Sequence, residues 1–354
     1  MRGAFIAPII IHRMVTFADV AALEEFMTRP SPALAADLAR VPGDILILGV
    51  GGKMGPTLAR MAKRAAPDRR VIGVARFSEK GLREKLEAQG VECIACDLLD
   101  RQALEKLPAV LSATPNLVFM AGHKFGAAGD PSFTWAMNVA VPFMVAEAFR
   151  ESRIVVFSTA CVYPYVSVHG AGAPEDMPTT PPPGDYASSC VGREQMFLHA
   201  SRRYGTPGRL VRLSYAIDMR YGVLHDVASA VFDAKPVALG MGYANVIWQG
   251  DANEQSLRLL AHCTSPATPL NVSGPKVSVR LLAEEFGKRF SRRPTFSGTE
   301  AATAWLVDTA ESNKLLGAPR VPLETMIDWV ADWVARGQPS LGKPTHFETR
   351  DGKY

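Results

Sequence analysis

Residues 44–56 read DILILGVGGKMGP, and this stretch decides the fold. Asp44 to Leu48 is a short, nearly continuous apolar run that stops at glycines, as a strand buried on both faces of a parallel sheet does. Pro56 to Ala65 follows with helical spacing, so the glycines lie between a strand and a helix. Gly49, Gly52 and Gly55 form G-x-x-G-x-x-G. Glycine lets the chain turn sharply and lets backbone amides approach a pyrophosphate, while the helix N-terminus adds N–H groups and a positive dipole end. In this context the loop predicts dinucleotide binding through Gly49, Gly51, Gly52, Lys53, Met54 and Gly55.

Outward from the loop, strands and helices alternate. Arg70 to Ala75 (RVIGVA), Val91 to Cys96, Asn116 to Ala121, Arg153 to Ser158 and Arg209 to Ser214 read as strands. Ser132 to Arg150 and Tyr186 to Tyr204 read as long helices. Such alternation with right-handed crossovers predicts an α/β fold, a doubly wound parallel sheet of the Rossmann kind over residues 44–214. Residues 215–341 are less regular and predict a smaller C-terminal substrate lobe, some segments of which return to the first domain. Asn245–Trp248, Leu270–Val272, and helices at Val277–Phe290 and Leu323–Ala335 belong there. Residues 1–43 read as an N-terminal extension with two short helices after Met14, and residues 1–13 as a loose arm or an upstream mis-start. The polar tail 342–354 is expected to wrap the surface or hang free. The Pro- and Gly-rich loop from Tyr163 to Asp185 is expected either to close over the cleft or to be a plain surface connection.

Composition narrows the classes. The chain has 354 residues, a net charge of +4 and 47% hydrophobic residues, values of an ordinary globular protein. Its basic runs are short and interrupted, which argues against nucleic acid. No stretch is apolar and long enough to span a bilayer. Five cysteines, an odd number, fit a reducing, cytoplasmic setting better than a disulfide framework. Cys93 and Cys96 form C-x-x-C within a strand, where positions three apart face opposite sides, so they are not read as a pair. The histidines show no metal-ligand spacing.

The end of the second strand chooses the cofactor. An acidic residue there would take hydrogen bonds from ribose hydroxyls; this chain has Ala75-Arg76-Phe77-Ser78. Arg76 offers a donor fork suited to a 2′-phosphate, with Lys53 expected to add charge nearby, so NADP is favoured over NAD. The alternative is that Arg76 stacks on the adenine of NAD.

Further landmarks resemble the extended short-chain dehydrogenases/reductases, of the NAD-dependent epimerase/dehydratase type. Asp97-Leu98-Leu99-Asp100 resembles the family's D-L-x-D. Ala121-Gly122-His123-Lys124 resembles its A-G-x-K, Asn138-Val139 its N-V, and Ser158-Thr159-Ala160-Cys161-Val162-Tyr163 its S-[ST]-x-x-V-Y. Val307-Asp308 and Leu315-Leu316-Gly317 resemble a closing landmark. The resemblance spans roughly residues 44–335. It implies that Asp97 and Leu98 contact adenine, that Ala121, Gly122, Asn138 and Ser158 line the cofactor site, and that Lys124 lies near the ribose or substrate. It also implies a homodimer pairing the helices at 132–150 and 186–204.

The resemblance further implies a catalytic Tyr186 as acid/base and a catalytic Thr159 bonding the reacting oxygen. The family's Y-x-x-x-K lysine is missing: Cys190 takes its place among the residues expected around the cofactor. Free tyrosine has a pKa of about 10, and a nearby cation normally lowers it. Three readings stay open. The first is an oxidoreductase, epimerase or dehydratase acting on a sugar, a sugar-nucleotide or a related hydroxy/keto compound, with Lys124 or His123 supplying the missing charge. The second is a cofactor-binding sensor or regulator without turnover. The third is a lyase or isomerase using Cys161, Cys190, Tyr163, His123 or Asp218. Arg220 is a candidate for meeting a carboxylate or phosphate, or else a surface ion pair.

Overall fold

The structure, a computed structural model, describes residues 16–111, 114–124, 129–343 and 345–351. Its centre is an all-parallel sheet of β1 (Ile45–Leu48), β2 (Val71–Ala75), β3 (Glu92–Ala95), β4 (Asn116–Phe119), β5 (Arg153–Thr159), β6 (Gly208–Leu213) and β7 (Thr268–Val272). The spatial order is β7-β6-β5-β4-β1-β2-β3. All four side chains of β1 are fully buried, Ile45 and Ile47 in one helical layer and Leu46 and Leu48 in the other. Each such burial stabilises by roughly 1.5–3 kcal/mol. The order reverses between β1 and β4, the crevice where doubly wound sheets bind ligands.

Helices α1 (Val20–Met27) and α2 (Pro32–Ala39) precede the sheet. Helices α3 (Gly55–Ala65), α4 (Leu82–Glu87), α5 (Arg101–Lys106), α6 (Pro131–Trp135), α7 (Val141–Ala148) and α8 (Asp185–Tyr204) cross between strands. The expected single helix over 132–150 is interrupted by a π-turn at Ala136–Ala140, in which the Val141 N–H bonds back to Ala136. Pro142 has no N–H with which to resume the α-helical ladder at Asn138, which accounts for the break.

Leu270–Val272, placed in the second lobe by sequence, instead lies in β7 and pairs with β6 through the register Leu270–Val211. Its crossover is α10 (Gln249–Arg258), packed on α2 and α3. Helix α10 escapes periodicity because it is mostly polar yet buried. The lobe itself is built from α9 (Val223–Phe232), α11 (Val279–Phe290) and α13 (Leu323–Ala335), with α12 (Ala310–Leu316) returning beside β7. The expected helix at 277–290 begins at Val279, because Val277 pairs with Ala244 in a short antiparallel ladder.

The N-terminal helices are integral to the fold. Asp19 caps α1 and Ser31 caps α2 through their side-chain oxygens. Leu23 and Met27 join the lobe core with Phe17, whose ring meets Trp329 at 5.1 Å, while Leu34 and Leu38 join the sheet core. The segment therefore clamps the two parts together. Residues 1–13 lie outside the described residues. Over its described residues the tail is docked: Phe347 is buried, Thr345 bonds Asp226, and Arg350 bonds Thr303 over the Tyr165 ring. The 163–185 loop is stitched to the lobe, where Val166–Ser167 pairs with Thr303–Ala304 and Ala173 bridges Val307.

Candidate active site

The glycine loop sits at the point where strand order reverses. Gly49 holds φ +90°, and a Cβ there would come within 2.5 Å of the Ala121 nitrogen, so the ends of β1 and β4 touch only because residue 49 lacks a side chain. A Cβ on Gly55 would lie 2.2 Å from the Val50 carbonyl, which fixes α3 against the loop. Around Gly52 the nearest atom to such a Cβ is 3.5 Å away, so its outer face is open. Helix α3 starts with no side-chain cap; its Gly55 amide bonds the Gly52 carbonyl at 3.2 Å and Pro56 has no N–H, so the helix offers an anion the positive end of its dipole. This cradle fits a dinucleotide's pyrophosphate. Gly51 packs near Ala75, and Arg76 stands exposed beyond β2. Asp97 accepts from the Leu99 amide at the end of β3, with Leu98 buried beside it.

Next to the loop is a cavity of about 280 Å³. Gly49, Gly52, Lys53, Met54 and Gly55 form one wall, Ser158, Thr159 and Cys161 another, and Lys124, Tyr186, Tyr215 and Tyr221 complete it. Tyr186 is hydrogen-bonded to Thr159. The Lys124 ammonium stands 5.7 Å from the centre of the Tyr186 ring. Burial pushes the Tyr186 phenol well above its ordinary value, the Cys190 and Cys161 thiols add to this, and Arg193 and the Thr159 bond oppose it. Burial also lowers Lys124. Tyr215 holds φ +23°, a left-handed backbone that costs an aromatic residue free energy and turns it into the cavity.

Beneath the cavity lies a buried polar network. Ser158 Oγ donates to Glu194 at 2.6 Å, and Glu194 pairs with Arg212 at 2.8 Å. Arg212 donates to the Tyr163 hydroxyl, which donates to Asn271. Arg193 Nη1 donates to the Phe157 carbonyl at 2.9 Å and Nη2 to Asn138 Oδ1 at 2.6 Å. Asn138 also accepts from the His123 amide and donates to the His123 carbonyl and Ser189 Oγ.

Several sequence expectations change here. Lys53 does not extend towards Arg76: its Nζ donates to the Ala216 carbonyl at 2.9 Å and lies 4.0 Å from the centre of the Tyr221 ring. Burial brings Lys53 down to about 8, against the pull of Asp218. Asn138 acts as a pin beneath the Ala121–Lys124 loop and does not line the cavity. Cys190 is fully buried under Tyr186, its thiol pushed up to about 11 by that burial. It is poorly suited to act as a nucleophile. Arg220 is neither a free anion receptor nor a surface pair, because buried Asp218 and Glu24 hold it. That same pairing occupies Asp218, and the network occupies Tyr163. The five cysteines are all free. Among the described residues no group of His, Cys, Asp and Glu could hold a metal, and no helix is long and apolar enough to cross a membrane.

The resemblance expects substrate contacts in the segment Tyr215 to Tyr221, and the structure brings Tyr215 and Tyr221 of that segment to the cavity; sequence reasoning missed Arg193. Their segment, beyond β6, lacks the family's usual Asn, so the resemblance gives the two tyrosines no individual role. Arg193 carried a usable signal: it follows Tyr186 by seven positions, two helical turns on the same buried face.

Solved structures share this architecture. UDP-glucose 4-epimerase from Thermus thermophilus in complex with NAD superposes with a TM-score of 0.67 at 19% identity, covering 82% of this chain and 98% of that one. UDP-glucuronic acid 4-epimerase from Bacillus cereus with UDP-glucuronic acid and NAD gives 0.68 at 17%, covering 83% and 99%. An epimerase from Methanothermobacter thermautotrophicus gives 0.69 at 15%, covering 87% and 97%. At these identities the likeness is one of fold. No curated protein sequence matches the chain. Residues 45–218 match the model of the NAD dependent epimerase/dehydratase family, and that stretch holds the glycine loop, Thr159 and Tyr186.

Proposed function

We propose that this protein is a nicotinamide-dinucleotide enzyme, an oxidoreductase, epimerase or dehydratase. Its substrate in this reading is a sugar, a sugar-nucleotide or a related hydroxy/keto compound. The observation that carries the reading is the Tyr186–Thr159 hydrogen bond, set in a cavity whose opposite wall is the glycine loop. Bound nicotinamide would supply the hydride acceptor or donor. Thr159 orients the reacting oxygen, and Tyr186 gives or takes its proton. The Lys124 ammonium, 5.7 Å from the ring centre, favours the phenolate while that proton is away. The relatives of like fold that were solved with NAD and with UDP-sugars support this substrate class.

NADP is preferred to NAD in this reading. Arg76 is exposed at the end of β2, no carboxylate stands there, and Lys53 contributes nothing on that side. The protein works in the cytoplasm as a homodimer through α6–α8, where Trp135 and Phe143 are exposed. A second reading, cofactor binding without turnover, draws on the burial of Cys190 where a lysine would serve.

Thermal shift with NAD⁺, NADH, NADP⁺ and NADPH tests the cofactor. Stabilisation by the NADP pair is expected, whereas no response to any of the four sinks both readings. A substrate screen on wild type and Tyr186→Phe then separates them. Turnover lost in Tyr186→Phe with cofactor affinity kept supports catalysis, and full turnover in that variant refutes the role of Tyr186.

A further inference from the structure

We infer that Arg193 is the relocated cation of this site, a positioning residue that takes over from α8's next turn the electrostatic task of the lysine missing at position 190. The inference rests on the catalytic reading of Tyr186.

Four observations carry it. First, Arg193 lies on the buried face of α8 that also presents Tyr186 and Cys190, and it is only 6% exposed. Helical side chains lean towards the N-terminus, so its guanidinium reaches back beneath Cys190. Second, its partners are neutral: the Phe157 carbonyl and the Asn138 amide oxygen. Among the described residues no carboxylate lies within ion-pair distance of it. The neighbouring Glu194 is committed to Arg212 and Ser158. A buried cation without a counter-ion is costly, and its field is not cancelled locally. Third, its Nε is buried and makes no hydrogen bond, so the group is not held there by full polar satisfaction. Fourth, the loop above is shaped around it: a Cβ on Gly122 would meet Nη2 at 2.3 Å. Residue 122 must be small for the guanidinium to sit where it does.

The arrangement separates what one lysine would do. Arg193 supplies a fixed positive field below Tyr186 through the layer occupied by Cys190. It also fixes Asn138, and through it the His123–Lys124 backbone. Positive charge thus approaches the phenol from below through Arg193 and from the cavity side through Lys124.

The test reads the Tyr186 proton directly and needs no substrate. The protein is made with 3,5-difluorotyrosine, whose lower intrinsic pKa brings the titration into an accessible range. The Tyr186 resonance is assigned in the ¹⁹F spectrum by Tyr186→Phe. Seven residues of helix are about 10 Å of rise, and a charge at that distance in an effective dielectric near 20 shifts a pKa by about one unit. Arg193→Gln is expected to raise the Tyr186 midpoint by about one pH unit. Arg193→Lys is expected to stay within a few tenths of wild type. Cys190→Lys combined with Arg193→Gln is expected to bring the midpoint back to wild type or below. A midpoint unmoved in Arg193→Gln, or moved equally in Arg193→Lys, overturns the proposal. Should Arg193→Gln not fold, the double variant decides: a wild-type midpoint supports relocation, and a raised midpoint or an unfolded chain refutes it. A catalytic reading that is itself wrong shows separately, as turnover surviving in Tyr186→Phe.

Discussion

Lys53 offers a quantitative test of how the cavity is built. Its ammonium is taken into the wall between the glycine loop and Ala216, and burial lowers it from 10.5 to about 8. In the unfolded chain it binds its proton up to pH 10.5, and in the folded chain only up to about 8. Between those values the unfolded state holds more protons, so stability rises with pH. The cost of burying the charge is fully present below pH 8 and fades as pH approaches 10.5. At 1.36 kcal/mol per unit, the shift corresponds to a cost of about 3 kcal/mol at neutral pH. From pH 7 to pH 9 roughly 1 kcal/mol of that should be recovered. Urea denaturation of wild type and Lys53→Met at both pH values isolates this term, because other titrating groups contribute to both proteins alike. Wild type should gain about 1 kcal/mol more than Lys53→Met on going to pH 9. Parallel pH profiles, or a larger gain in Lys53→Met, would show that Lys53 is not charged and buried as described.

Three further outcomes follow from the same geometry. Gly52→Ala should fold with a normal melting temperature yet lose cofactor-dependent stabilisation, because its Cβ meets no protein atom closer than 3.5 Å but intrudes where the pyrophosphate would lie. Thermal shift with and without NADPH checks both halves. Gly55→Ala should instead lower stability itself, by about 2 kcal/mol or more in urea titrations, since its Cβ would strike the Val50 carbonyl at 2.2 Å and something must move. Arg212→Leu strands Glu194 as an unpaired buried carboxylate. It should cost about 3–5 kcal/mol, with Arg212→Leu/Glu194→Leu recovering part of the loss.

Local pattern made the sheet legible wherever a strand is a short apolar run alternating closely with its crossover helix. Strands β1 to β6 announce themselves as apolar runs bounded by glycine or polar residues, and the G-x-x-G-x-x-G loop marks where β1 ends. Strand β7 does not, because its assignment to this sheet depends on pairing with β6 across α9 and α10. Helix α10 defeats periodicity for a different reason. Gln249 and Asn253 are buried against Thr57 through hydrogen bonds, so a helix with no apolar stripe is still interior. Side-chain direction was equally out of reach. Lys53 beside a phosphate loop reads as a phosphate ligand until Ala216, 163 positions away, is seen to hold its ammonium.

The substitution at 190 can be read as loss only if the rest of the site is held constant, and it is not. Cys190 is fully buried, packed with Val162, Tyr163 and Ala173. A lysine restored there alone would bring a second cation into the layer directly above Arg193, with no carboxylate to share and no room for its length. Overpacking and an uncompensated buried charge both act against the fold. Cys190→Lys should therefore be less stable than wild type by about 2–4 kcal/mol. It should show no gain in NADP-dependent thermal shift. The urea midpoint of Cys190→Lys against that of Cys190→Lys/Arg193→Gln separates the two costs, since the pair keeps the extra length but removes one charge. If Cys190→Lys proves as stable as wild type and binds NADP more tightly, the cysteine is a defect that the fold has left uncorrected. If only the double variant is tolerated, positions 190 and 193 share one charge between them, and the family's lysine has been moved rather than lost.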